Sequence, residues 1–284
     1  MIAVTGATGQ LGRLVIKHLL QRTTPDRIVA LVRNLEKAEM FKELGIGIRY
    51  VDYSKPETLK SALSGNITKL LLISSSEVGL RFLQHKNVID AAKQSSIKLI
   101  AYTSILKADT SPFSLAEEHL ETEEYLRSTN IPHVLLRNGW YTENYLLRIK
   151  SSMENGALIG CAKDGKISSS ACDDYAEAAA VILTSDKSQN NKVYELSGDE
   201  TYSLSSLCEI ISQESGKTIP YIDMEESDFI EALKGSGVPA PLADILACSD
   251  IGACKGGLLD ESHTLSTLIG RPTTSLRQLV RGYL

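Results

Sequence analysis

A glycine-rich turn follows the first apolar segment of the chain, with glycines at positions 6, 9 and 12. Glycines at this spacing let the chain turn sharply, let a pyrophosphate approach the backbone, and let the next helix direct its N-terminal N–H groups at the phosphates. The stripe of Leu11, Val15 and Leu19 after the turn predicts that helix. We therefore predict a dinucleotide site rather than a purely structural turn, with contacts from Gly6, Ala7, Thr8, Gly9, Gln10 and Leu11.

Arg33 ends the second apolar segment, about twenty residues after the glycine turn, where NAD enzymes usually place an Asp or Glu on the ribose 2′-hydroxyl. Its guanidinium can pair with a 2′-phosphate and stack on the adenine, and positions 30 to 34 hold no carboxylate. The alternative is a solvated arginine at a strand end. The residues favour NADP(H) over NAD(H) as cofactor.

Three serines follow the buried segment Leu70 to Ile73. Ligands of an open parallel sheet lie outside the carboxyl ends of its strands, so we predict that Ser74, Ser75 and Ser76 face the sugars and phosphates of the cofactor. A plain polar loop is the alternative. Asp52, after the third strand, either approaches the adenine or caps the next turn.

Short apolar segments alternate with segments of helical period through the first half of the chain. We predict strands at Ile2 to Thr5, Arg27 to Val32, Ile48 to Val51, Leu70 to Ile73, Lys98 to Tyr102 and His133 to Arg137. Buried helical stripes are predicted at Leu59 and Leu63, and at Leu80, Leu83, Val88 and Ala91. This alternation indicates an α/β fold with a doubly wound parallel Rossmann sheet.

The alternation weakens after about Trp140. We predict an NADP-binding domain at 1–140, which also receives later elements, and a smaller C-terminal α/β lobe on the substrate side at 141–284. Within that lobe, Asp173 or Asp174 is expected to cap one helix, and Ser203 or Ser205 another.

Composition narrows the classes of ligand. The 284 residues carry 30 basic and 35 acidic side chains, for a net charge of −5, which disfavours nucleic acid and anionic membranes as partners. The apolar runs are too short to insert into a membrane, and no basic signal segment is visible. The five cysteines form no metal-binding pattern. We expect a cytoplasmic protein without a metal site, acting on a small molecule.

The sequence resembles the NmrA-like, atypical short-chain dehydrogenase/reductases, and among them the bacterial NADPH:quinone oxidoreductases. The likeness rests on GATGQLG, LVRN, LLLISSSEVG, IAYTS, ADTSP, LLRNGWYTENY, DGKI, YELSGD and a late KGGL. It implies NADPH bound along the sheet edge, reduction of a quinone, and a small C-terminal lobe. It is also compatible with a homodimer.

The segment after the sixth strand offers flat apolar faces together with amide and phenol groups. Such groups can hold a quinone ring against a nicotinamide, or they can pack an aromatic helix start into the lobe. Predicted cofactor contacts here are Asn138, Gly139, Trp140, Tyr141, Thr142 and Glu143. Predicted substrate contacts are Trp140, Tyr141 and Asn144.

The Tyr-x-x-x-Lys pair of ordinary short-chain dehydrogenases is missing from this sequence. Many atypical members have a lysine four residues before a glutamate on the helix after the fifth strand, and here His119 and Glu123 have that spacing. His119, on an acidic segment, is expected to be a solvated surface residue, so we assign no catalytic residue.

These observations predict NADPH-dependent reduction of quinones or similar electrophilic small molecules by hydride transfer. Because a quinone yields a stabilised hydroquinone anion, positioning matters more than acid catalysis. The alternative is a redox-sensing regulator that binds NADP(H) without turnover. An isomerase or epimerase is disfavoured because such mechanisms usually use the missing tyrosine.

Overall fold

The computed structural model describes residues 1–95 and 97–284. The strands are β1 (Ile2–Val4), β2 (Ile28–Val32), β3 (Gly47–Tyr50), β4 (Lys69–Leu72), β5 (Leu99–Ile105), β6 (His133–Asn138), β7 (Leu158–Gly160), β8 (Lys192–Leu196) and β9 (Tyr221–Asp223). The α-helices are α1 (Gln10–Leu20), α2 (Glu39–Glu43), α3 (Pro56–Ala62), α4 (Arg81–Lys93), α5 (Leu115–Ser128), α6 (Glu143–Asn155), α7 (Cys172–Thr184), α8 (Leu204–Ser215), α9 (Glu226–Gly235), α10 (Ala240–Cys254), α11 (Thr264–Ile269) and α12 (Leu276–Tyr283).

The main sheet has seven strands in the order β3-β2-β1-β4-β5-β6-β8. The first six strands pair in parallel. Ile2 of β1 lies opposite Ile28 of β2 on one side and opposite Lys69 of β4 on the other. The strand order therefore reverses beside β1, which is the point where doubly wound sheets bind dinucleotides. The predicted doubly wound parallel Rossmann sheet is confirmed.

Both faces of the sheet are buried. Ala3, Leu70 and Leu72 belong to a core cluster that also includes residues of α3, α4 and α5. Val4 and Leu71 alternate with these residues, are equally buried, and lie outside that cluster on the opposite face. The central strands β1 and β2, and Leu70 to Leu72 of β4, are therefore continuous apolar runs, because both of their faces are covered.

The stripe predicted on α4 is wrong in its first half. Leu80 and Leu83 are 51% and 57% exposed, whereas Gln84 and His85 of the same turn are buried. The buried face is polar here because its side chains bind the loop after β4 rather than filling a core. Hydrophobic periodicity does not predict a face of this kind.

The chain forms two compact units. The first unit comprises Met1–Asp109, Leu115–Asn138 and Cys172–Glu195, and the second comprises Thr110–Ser114, Gly139–Ala171 and Leu196–Leu284. The segment 172–195 contains α7, which packs against α1 in the first unit. No helix among the described residues is both long and apolar enough to cross a membrane.

The second unit has its own small core. β7 and β9 pair in parallel, and Cys161, Phe229, Leu233, Ala243 and Ala247 form an apolar cluster. Ser203 is the N-cap of α8 and accepts a hydrogen bond from Ser206 N–H, as predicted. The cap predicted for α7, in the first unit, is wrong because that helix begins at Cys172 and includes Asp173 and Asp174 in its first turn.

Candidate nucleotide-binding site

Two positions of the glycine turn require glycine, position 6 for its backbone conformation and position 12 for its close contacts. Gly6 has a φ of +57°, and Gly9 N–H donates to Gly6 O at 2.9 Å. A Cβ at Gly12 would lie 2.4 Å from Gly6 O and 2.7 Å from Ala7 Cα. Glycine is therefore required at position 6 in the turn and at position 12 in the first turn of α1, whose N-cap is Gly9. The first turn of α1 carries no acidic side chain, so its positive end is available to an anion.

A cleft of about 320 Å³ opens beside this turn, entirely within the first unit. It brings together predicted site residues from three strand ends, which follow β1, β2 and β4. The predicted residues that line it are Gly6, Thr8, Gly9, Arg33, Ser74, Ser75 and Ser76, with Asp52 beside them. Ala7 and Leu11 are buried, and Gln10 is exposed.

The serine loop after β4, Ser74 to Ser76, is fixed by hydrogen bonds from its backbone atoms to side chains of other elements. Ser74 N–H donates to Thr103 Oγ1 at 2.8 Å, and Ser75 N–H donates to His85 Nε2 at 2.8 Å. Arg81 Nε donates to Ser75 O at 2.7 Å. Donors and acceptors from β5 and α4 therefore fix the loop at the cleft in one conformation.

His85 acts in this network as a neutral acceptor. Thr122 Oγ1 uses its only hydrogen on Glu118 O at 2.8 Å, so the 3.0 Å contact from His85 Nδ1 must be an N–H donated to that oxygen. His85 Nε2 is then free to accept from Ser75. Burial, assisted by the charges of His119 and Arg81, lowers the pKa of His85 from 6.5 to about 2. Sequence reasoning missed His85 because nothing local to α4 marks it as buried.

The guanidinium of Arg33 pairs with a carboxylate that comes from a different segment of the chain. Its Nη1 donates to Glu77 Oε1 at 2.8 Å, across 44 positions of sequence. Gln84 Nε2 donates to Glu77 Oε2 at 2.8 Å and also reaches Ser54 Oγ at 3.0 Å. The hydrogen bond from Arg33, followed by that from Gln84, lowers the pKa of Glu77. A carboxylate therefore lies beside Arg33 in the cleft although positions 30 to 34 contain none.

Asp52 has the capping role that was one of its two predicted roles, and its approach to the adenine stays a prediction. Its Oδ1 accepts from Ser54 N–H at 3.0 Å, which caps the turn before α3, and the residue also lines the cleft. Lys55 Nζ lies 3.7 Å from its Oδ2.

His119 is buried, so the expectation of a solvated surface residue is wrong. It is 5% exposed, and its Nδ1 lies 2.7 Å from Tyr102 Oη. Burial, followed by the charge of Arg81, lowers the pKa of His119 from 6.5 to about 3. The acidic residues beside it in sequence lie on other sides of α5, because neighbouring residues on a helix do not share a face.

Glu123, one helical turn after His119, is fully buried. It accepts two hydrogen bonds from Arg137, at 2.9 Å from Nε and 2.7 Å from Nη2, and one from Ser104 Oγ at 2.6 Å. Arg127 Nη2 adds a further bond at 2.9 Å. This carboxylate is therefore committed to an ion-pair network that ties α5 to β5 and β6.

Asn138 ends β6, and its buried Oδ1 accepts no hydrogen bond from the residues that the structure describes. The next predicted residues belong to the second unit. There Thr142 is buried against Ser169 Oγ at 2.7 Å, and the Trp140 ring stacks on Phe113 with centroids 6.3 Å apart. Gly139 is also buried, whereas Trp140, Tyr141, Glu143 and Asn144 remain partly exposed.

Comparison with known proteins places these features in one family. The profile of the NmrA-like family matches residues 1–253. Quinone oxidoreductase 2 of Escherichia coli K12 is 53% identical over 280 residues, which cover 99% of this chain and 97% of that protein. The crystal structure of an NADPH-dependent quinone oxidoreductase from E. coli, complexed with NADPH, superposes with a TM-score of 0.97 at 52% identity and covers 99% of both chains. Triphenylmethane reductase of Citrobacter sp. complexed with NADP(H) gives a TM-score of 0.96 at 38% identity over the whole of both chains. The chain belongs to the NmrA-like family.

Proposed function

We propose that the protein catalyses NADPH-dependent reduction of quinones or similar electrophilic small molecules by hydride transfer. One joint observation carries the proposal: the glycine turn, Arg33 and the serine loop line a single cleft in a chain that is 53% identical to a quinone oxidoreductase. The alternative, a regulator that binds NADP(H) without turnover, would be expected to have the same cleft. The substrate assay therefore decides between the two.

The residues of the cleft fit a dinucleotide that carries a 2′-phosphate. The N-terminus of α1 receives the pyrophosphate beside Gly9, and Arg33 receives the 2′-phosphate. The serine loop offers hydroxyls to ribose and phosphate oxygens. Asn138 Oδ1, a buried acceptor without a partner among the described residues, is suited to an amide donor such as the carboxamide of nicotinamide. When bound, NADPH supplies the hydride.

We assign quinone binding to residues that follow β6 in the sequence. We propose that Trp140, Tyr141 and Asn144 hold the quinone, and that Gly139 to Glu143 also contact the cofactor. Trp140 and Tyr141 present partly exposed aromatic faces, and Asn144 presents a partly exposed amide. These residues orient the ring, and because the chain lacks the Tyr-x-x-x-Lys pair, water or a modest donor protonates the hydroquinone anion.

Steady-state oxidation of NADPH tests the proposal. The panel comprises benzoquinones, naphthoquinones, a ketone, an aldehyde and a triphenylmethane dye, with the Gly9→Val variant as the control that cannot bind NADPH. We expect turnover with quinones and little with the ketone or aldehyde. Tight NADPH binding without turnover of any acceptor would establish the regulator instead.

Two further expectations concern the cellular location and the oligomeric state of the protein. A cytoplasmic location and a homodimer remain predictions from the sequence and its resemblance. Light scattering coupled to gel filtration distinguishes a dimer from the 30.9 kDa monomer.

A further inference from the structure

A carboxylate occupies the position on Arg33 that the 2′-phosphate of NADPH needs. The Arg33 Nη1 to Glu77 Oε1 distance is 2.8 Å, and both residues line the nucleotide cleft. Their side chains are largely exposed, so a phosphate in the cleft can reach this guanidinium. The guanidinium to which we assign the 2′-phosphate is therefore paired with a carboxylate in the cofactor-free protein.

Glu77 is held in place and is not a mobile surface acid. Its second oxygen, Oε2, accepts from Gln84 Nε2 at 2.8 Å, and Gln84 is only 4% exposed. Its backbone N–H donates to Ser75 Oγ at 3.2 Å, in the loop that His85 fixes. When Arg33 turns to a phosphate, Glu77 therefore stays at the adenosine end of the cleft.

We propose that Glu77 is a specificity-determining residue, which pairs with Arg33 in the cofactor-free protein and exchanges it for the 2′-phosphate when NADPH binds. The inference rests on the proposed binding of NADPH in this cleft. A phosphate carries up to two negative charges and offers a bidentate partner, so it displaces a single carboxylate oxygen from arginine. The exchange breaks the Arg33–Glu77 ion pair and leaves the carboxylate of Glu77 near the phosphate. NADH, which has no 2′-phosphate, leaves the pair intact.

Glu77 therefore weakens NADPH binding selectively and sets an upper limit on the preference for NADPH over NADH. Glu77 and Arg33 are largely exposed, so water screens both the repulsion of the phosphate and the ion pair, and together they change affinity by about three- to tenfold. Glu77→Gln keeps a side chain of nearly the same shape and removes the charge. We expect it to tighten NADPH by that factor and to change NADH less than about twofold.

Calorimetric titration of the full chain with NADPH and NADH measures this effect. The fragments 2′,5′-ADP and 5′-AMP isolate the same difference, because they differ only by the 2′-phosphate. Glu124→Gln, an exposed acid on α5, is the matched control for net charge and should leave all four affinities unchanged. An unchanged ratio of NADPH to NADH affinity in Glu77→Gln, or weaker NADPH binding, would overturn the proposal.

A double variant tests whether the effect passes through Arg33. On an Arg33→Ala background, Glu77→Gln should gain clearly less NADPH affinity than it does alone, since no guanidinium remains to be released. An equal gain on both backgrounds would show that Glu77 acts on the phosphate without exchange, and would overturn this account. The readout is binding, so a failure of quinone turnover would count against the proposed function and not against Glu77.

Discussion

Replacing His85 by leucine should make the protein less stable at neutral pH but not in acid. At pH 7 the variant leaves Ser75 N–H without its acceptor, because leucine cannot replace the 2.8 Å bond to Nε2. An unsatisfied buried N–H costs about 1 to 3 kcal/mol of unfolding free energy. The serine loop should loosen at the same time and weaken NADPH binding about tenfold.

At low pH the order of stability of the parent and the leucine variant reverses, because His85 binds a proton in the unfolded chain but not in the folded protein. The pKa of His85 is about 2 in the folded protein, against about 6.5 in the unfolded chain. Between these values the unfolded chain binds a proton that the native state excludes, so the parent loses about 1.4 kcal/mol per pH unit from this residue as pH falls. At about pH 4.5 the loss is roughly 3 kcal/mol, and the leucine variant does not suffer it. The variant should then be as stable as the parent or more stable.

Urea unfolding followed by far-UV circular dichroism, at about pH 7 and about pH 4.5, measures both differences. Val88→Ala is the matched control: it removes buried volume from the same helix without removing a titratable group. Its destabilisation should be the same at both pH values. If His85→Leu also showed the same deficit at both, His85 would not be a neutral buried acceptor, and the tautomer assigned to it would be refuted.

Other substitutions test the remaining parts of the site. Arg33→Ala should weaken NADPH binding about tenfold to hundredfold by loss of a charge-assisted contact and leave NADH nearly unchanged, as measured by calorimetry; equal losses would contradict its role. Gly9→Val should fold, by circular dichroism, yet bind neither cofactor, since a Cβ at this position would lie 3.2 Å from Gly6 O and the branched side chain would fill the space proposed for the pyrophosphate; normal NADPH binding would refute that placement. Glu123→Gln should lower the free energy of unfolding by about 3 kcal/mol, because Arg137 is left buried with less compensation; a loss below about 1 kcal/mol would contradict the network. Tyr141→Phe should retain most quinone kcat/KM while Tyr141→Ala loses more, whereas a Phe variant reduced about 100-fold, like the Ala variant, would make the phenol a proton donor.

The sequence determined the features whose causes are local. The glycine turn is local because the contacts that exclude a Cβ at Gly12 come from Gly6 and Ala7, within the same seven residues. The strands are local in the same sense, because a strand buried on both faces is mostly apolar, and right-handed crossovers then permit few topologies. These constraints are enough to predict the first six strands of the sheet and the cleft beside the loops after β1, β2 and β4, but not the seventh strand, β8.

Only the tertiary structure decided which polar side chains are buried and which charges are paired. His85 and His119 have no local mark of burial, because the groups that satisfy them, Ser75 N–H and Tyr102 Oη, belong to other elements. The same holds for Arg33, whose carboxylate partner Glu77 follows a different strand. A buried or paired polar group is stable only through partners supplied across space. Its environment therefore arises when the sheet assembles and cannot be inferred from its neighbours in sequence.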